Sequence, residues 1–490
     1  MKRALCIISI FLFINIEAAG LKKHIDTFGY DFLNTTITDI EKSELEKISF
    51  ENSSPYYPDK IIRLYLIASQ INKEPDFTRE LNAFESVIKK IEPQTKGLSS
   101  YNKAEKILHI LHDIYFKTEL TGSGAGYNIG IEDTLRNRRF NCYKSALIYN
   151  AVLEYFGYES YLVIVPEHIF SVVLINGKQI EVETTNRFGF DPYDRGAPGY
   201  KREFDKPGVI FDKKNYSSKT PVDNISIISI IYSNRLLLYT GQKRYTGYSV
   251  KPDFERAAAL GVLGLYMHGK STNLANNIIY PFYRISSGNM KKDPASISKY
   301  VKQFSEFLAH SRFAPYRPMY NKNISIAVLE SQPALRESYL SSANPISADT
   351  VTDAYIQSLK SVESNSQSAE ITETAWNNIT IDYNHDLAKQ INTDSIEGIR
   401  DYALQQKRLF ETLSAYKHSS KYKNMAAYNT TVILNNYILK IYGTKNYQKA
   451  LSEIDRGIDL LEKQLSFYDK KVMDSVKKNR AIIVEAIGRQ

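Results

Sequence analysis

Residues 141–185 read NCYKSALIYN AVLEYFGYES YLVIVPEHIF SVVLINGKQI EVETT, and two periodicities succeed each other within them. Ala146, Leu147, Tyr149, Val152, Leu153 and Phe156 recur at helical spacing, and Gly157 ends the run. YLVIV (161–165) and Pro166 lead into two alternating segments, HIFSVVLI (168–175) and KQIEVETT (178–185). Asn176-Gly177 joins them, the dipeptide that a two-residue type I′ hairpin prefers. The stretch therefore predicts one helix followed by antiparallel strands.

Outward from this core the chain reads as helical. Residues 21–95 keep helical spacing, and KAEKILHILHDIYF (103–116) forms an amphipathic helix that stops at the glycine-rich Thr121-Gly122-Ser123-Gly124-Ala125-Gly126. Downstream of a turn-rich segment at 186–222, apolar helices are predicted at 225–239 and 253–268, and again at 301–309 and 403–415. The polar stretch Ser358 to Ser368 reads as a long exposed surface or a boundary. Residues 431–461 read as helix, turn, helix, with the turn at Tyr442-Gly443. The fold class is α+β: a helix carrying Cys142 plus an antiparallel sheet, embedded in a mostly α-helical chain. The expected divisions are 1–20, 21–95, 96–222, 223–350 and 351–490.

Composition narrows the function classes. The 490 residues are 43% hydrophobic and 24% charged, the balance of a globular protein. The formal charge of +9 is a mild excess that no Lys/Arg block concentrates, so nucleic-acid binding gains no support, while peripheral association with an anionic envelope surface is favoured. Lys2 and Arg3, the apolar run Ala4 to Ile16, and Ala18-Ala19-Gly20 are the parts of an export signal, too short for a membrane span. The expected location is extracytoplasmic, periplasmic or secreted. Of the two cysteines, Cys6 lies in that leader, which leaves Cys142 as a lone thiol: a buried bystander or a reactive group.

Cys142 follows Asn141, a good N-cap residue, and so opens a helix, whose partial positive charge favours a thiolate. His168 begins the next-but-one element. With a two-residue turn at 176–177, Phe170 sits opposite Glu183, and His168, Phe170, Glu181, Glu183 and Thr185 share one face. Glu183 is the diagonal neighbour of His168, about 7–8 Å away between Cα atoms and within reach of long side chains. Glu181, one step further along, is the alternative orienter; Glu167 points to the other face. A nucleophile, a base and a carboxylate that steers the base form the set that covalent catalysis needs.

The order Asn141-Cys142-Tyr143-Lys144-Ser145-Ala146, Phe156-Gly157-Tyr158, Val165-Pro166-Glu167-His168, Glu181-Val182-Glu183-Thr184-Thr185 resembles the bacterial transglutaminase-like superfamily over about residues 100–195. Glu183 stands where that family usually has Asp, and Asn141 where it often has Gly. The resemblance implies a papain-like cysteine fold and acyl transfer on amides, with Cys142 as nucleophile, His168 as base and then acid, and Glu183 as orienter. It also implies a protein or peptide substrate and no cofactor. Tyr127 and Asn128 are candidate oxyanion donors beside the Cys142 amide. Tyr447, Ala450, Ile454, Gly457 and Leu461 resemble the contact positions of a tetratricopeptide repeat, and 225–268 has the same helix–turn–helix character, so helical repeats binding a protein partner are expected after the mixed domain.

Two further motifs stand outside this set. The run Gly122 to Gly130 follows a helix and lacks a Gly-Lys-Ser/Thr ending, which excludes a phosphate loop and leaves a linker or a lid. His109 and His112 are one helical turn apart without a third ligand, so no metal is expected. The sequence thus predicts an exported cysteine acyl-transfer enzyme, hydrolytic or cross-linking. The alternative is a catalytically inactive scaffold or binding protein acting through its helical repeats.

Overall fold

Asn141 starts the central helix by accepting a hydrogen bond from the Lys144 amide on its own side-chain oxygen at 3.0 Å. In the computed structural model, which describes residues 20–51, 54–120, 130–166, 168–191, 218–241, 251–268, 271–343 and 345–489, the chain divides into two units, Met1–Arg284 with His310–Phe313, and Ile285–Ala309 with Ala314–Gln490.

In the first unit, helix α1 (Ser100–Ile114) precedes α2 (Cys142–Tyr155). Every residue from Lys144 to Leu153 is buried, so α2 is wrapped on all sides. It ends where Gly157, at φ +76°, adopts the left-handed conformation. The Tyr158 amide then bonds Leu153 O at 3.1 Å and the Gly157 amide bonds Glu154 O at 3.0 Å, the paired closure of a Schellman end.

The strands follow as β1 (Ser160–Val165), β2 (His168–Ile175), β3 (Lys178–Val182) and β4 (Thr220–Val222), in the antiparallel order β3-β2-β1-β4. Asn176 and Gly177 both take positive φ, +51° and +77°, and Ile175 pairs with Lys178 as the turn dictates. On the face that carries His168, Val163, Val165, Phe170 and Val172 form a buried cluster with Tyr161 packed on it. The other face lies on α2, with Leu162, Ser171 and Val173 fully buried. After β4 come α3 (Ile227–Tyr239) and α4 (Phe254–Met267).

The N-terminal region departs from its all-helical expectation. Ser49–Glu51 and Ser54–Tyr56 pair as short antiparallel strands, where Pro55 interrupts helical hydrogen bonding.

The second unit is a succession of packed helices, among them α5 (Ala348–Asn365), α6 (Ala369–Gln390), α7 (Ile396–Thr412), α8 (Ser419–Gly443), α9 (Tyr447–Ile458) and α10 (Lys470–Gly488). The single Trp376 is fully buried, stacks on Tyr422 at 5.7 Å and donates its indole N–H to Glu363 at 2.6 Å. The polar stretch Ser358 to Ser368 is not an exposed surface. Ser358 is buried inside α5 and donates to Gln332 Oε1 at 3.0 Å, while Ser368 caps α6. The expected helix–turn–helix near the end is present, but α8 runs straight through Tyr442-Gly443 and the chain turns at Lys445, φ +61°. Helix lengths of 18, 22, 17, 25 and 12 residues from α5 to α9, with a π-helical turn after α9, do not follow the ~34-residue period of a tetratricopeptide array. That part of the expectation is corrected.

Candidate functional site

Register brings the three residues singled out from the sequence together. Val182 pairs with Ser171, which carries Glu183 past the end of β3 and back toward His168 at the start of β2. Glu183 Oε2 lies 2.6 Å from His168 Nε2, and the His168 ring also hydrogen-bonds the Cys142 side chain at the head of α2. Cys142 is half-buried and Glu183 is 3% exposed. Burial of the ring opposes its charged form. The hydrogen bonds with Cys142 and Glu183, and the negative charge of Glu183, more than offset this and raise His168 to about 10. Phe170 stacks beside the ring at 6.5 Å.

Glu183 is itself held rigidly. Its Oε1 accepts from the Thr185 amide at 3.0 Å and the Thr185 hydroxyl at 2.6 Å, and its backbone N–H donates to Gly189 O at 2.8 Å. A Cβ at position 189 would stand 2.1 Å from Glu183 O, so only glycine allows the loop to close so tightly. Thr184 anchors the neighbouring peptide: its hydroxyl meets Ser145 Oγ at 2.8 Å, and its carbonyl accepts from His112 Nε2 at 3.1 Å. Further along the loop, Arg187 pairs with Asp113 and the Tyr101 hydroxyl donates to Asp191.

Several expectations resolve differently. Glu181, the alternative orienter, is paired with Lys219 instead. His112 is a neutral anchor, lowered to about 4 chiefly by burial, and His109 packs edge-on against Phe188. Among the described residues no group of three or more His, Cys, Asp or Glu could hold a metal ion. Glu167, Tyr127, Asn128 and the glycines 122–126 lie outside the described residues.

The sequence reading missed three contributors. Glu119 lies close enough that partial desolvation and the charge of Glu183 raise its carboxyl. Lys144 is fully buried two residues after Cys142, 3.4 Å from Asp133, and burial pushes its ammonium down. Thr184 was visible only as half of a Thr-Thr pair.

No family model matches the chain, and no curated protein matches it. Among solved structures it is similar to the crystal structure of menin, reported with its binding site for the Mixed Lineage Leukemia protein. The identity is 11%, the coverage 95% of this chain and 98% of menin's, and the TM-score 0.27. The family reading is corrected: no family model and no curated protein returns a transglutaminase-like domain over residues 100–195 or a tetratricopeptide family. The assignment as a cysteine hydrolase or acyltransferase rested on that resemblance, and resemblance alone does not establish chemistry. It is withdrawn. The Cys142–His168–Glu183 contacts remain as geometry, with no reaction attached to them.

Proposed function

We propose that the chain is a binding protein that engages a protein partner through the helical surface of its second unit. The observation that supports this is a stripe on α8. Met425, Tyr428 and Leu439 are 40%, 49% and 45% exposed, and with half-buried Val432 they fall on one face of the 25-residue helix. Large apolar side chains aligned at a surface mark interaction sites more often than singly scattered ones do. The opposite face of α8, with Ala426, Leu434 and Ile438, is committed to the core of the unit.

The location we propose is extracytoplasmic, with residues 1–20 as export leader, of which 1–19 lie outside the described residues; the positive excess would favour the envelope surface. Among the described residues no helix is long and apolar enough to cross a membrane. Cys142, His168 and Glu183 are carried forward as the candidate site of the first unit, a thiol and a carboxylate flanking one imidazolium.

The test compares two full-length variants in the cells of origin, with complexes trapped by chemical cross-linking. M425D/L439D should reduce the trapped partner complex at least about tenfold, as loss of central apolar anchors does, with an unchanged circular-dichroism spectrum. Cys142→Ala should leave the complex and the biological activity intact. If Cys142→Ala abolishes that activity while M425D/L439D retains it, the binding reading is wrong.

A further inference from the structure

Away from the Cys142 row, a cavity of about 530 Å³ opens in the first unit between β4, the edge strand of the sheet, and α3, within the ~300–1,000 Å³ typical of small-molecule sites. Ile164 of β1 and Ile230 of α3 contribute aliphatic surface. Asp223, Ser233, Asn234 and His268 supply polar groups around it. Most of their hydrogen-bonding capacity is unspent. Asp223 Oδ1 accepts from the backbone amides of Ile225 and Ser226 at 2.9 and 2.7 Å, fixing the side chain at the entrance to α3 and leaving Oδ2 uncommitted. Among the described residues Ser233 Oγ is reached only by a long contact, 3.5 Å, from Asn277. Neither the Asn234 carboxamide nor the His268 ring has a side-chain hydrogen bond among the described residues.

We propose that this cavity binds a neutral, hydroxyl-rich small ligand of the mono- or disaccharide class. A carboxylate oxygen only accepts, a carboxamide both donates and accepts, and a hydroxyl or neutral imidazole does either. That mixture complements vicinal hydroxyls, each of which donates and accepts in turn. The aliphatic surface of Ile164 and Ile230 suits the C–H face of a pyranose ring. No Lys or Arg is among the described residues that line the cavity, and Asp223 would repel a phosphate or carboxylate. Polar groups placed this way reject a ligand that lacks the matching hydroxyl, because they would then be left unpaired.

Calorimetric titration of the full chain with methyl α-glucoside, N-acetylglucosamine, maltose and chitobiose tests this directly. At least one should bind with a Kd below about 1 mM, and Asn234→Leu should weaken it about tenfold or more with an unchanged Tm of the unliganded protein. If Asn234→Leu does not fold, His268→Leu, at an exposed position, serves in its place with the same expectation. The proposal is overturned if none of the four binds at about 10 mM, if the variant binds as the parent does, or if glucose 6-phosphate binds more tightly than methyl α-glucoside.

Discussion

His168 and His112 bond consecutive residues of one short stretch of chain, and their protons behave in opposite ways. His168 meets the carboxylate of Glu183 and is raised to about 10; His112 meets the carbonyl of Thr184, the next residue, and is lowered to about 4. Both rings pay for desolvation. The difference lies in the partners: the Cys142 side chain and the full negative charge of Glu183 together reverse the effect of burial on His168, and a carbonyl dipole only moderates it on His112. One turn of chain thus holds a cationic and a neutral imidazole side by side.

The most severe way to break this contrast is Glu183→Gln, which keeps the shape and removes the charge. The His168 ring should fall by ~2 units or more from about 10, read by NMR titration of its ring protons, while His112 stays low. An unchanged His168 would mean that Cys142 alone sustains the imidazolium.

The linkage signs sharpen the comparison next. The pairing of His168 contributes stability that is present below about 6.5, its unfolded value, and is lost as pH rises through 10. His112, and His24 buried against Val262 O, work the other way: both are lowered to about 4, so their contribution is present above 6.5 and is lost as pH falls toward 4. At pH 5 each neutral ring should cost the fold on the order of 2 kcal/mol relative to pH 7.5. His112→Gln, which can still donate to Thr184 O, should remove about half of that acid loss in urea denaturation of the full chain. Equal acid sensitivity in the variant would show that His112 is not among the groups responsible.

The smallest effect is expected at the rim. Arg187 and Asp113 are 43% and 55% exposed, so Asp113→Ala should cost less than about 0.5 kcal/mol, leave His168 unmoved and lower His112 only slightly further. A larger loss would mean that the loop 184–191 depends on this pair more than on its buried anchors.

How much of this was legible in the sequence follows from the range of each interaction. Asn176-Gly177 set the register, and register set the reach of Glu183 to His168, because both are local consequences of backbone geometry. The cap at Asn141 and the end at Gly157 were legible for the same reason. The anchor from His112 to Thr184 spans 72 residues and leaves no periodic trace. Ser358 reads as a surface residue by type and is buried because Gln332 meets it, a partner that only tertiary packing supplies. The family resemblance rested on motif order, which records spacing and not chemistry.

Trp376 has a practical corollary. With one indole in the chain, sealed in the second unit against Tyr422, the fluorescence emission maximum reports the melting of that unit alone. The acid titrations of His24 and His112, both in the first unit, should pass without a red shift. A denaturation curve followed by emission and one followed by helical ellipticity will therefore separate whenever the two units come apart at different conditions, and their coincidence would mark a single cooperative transition.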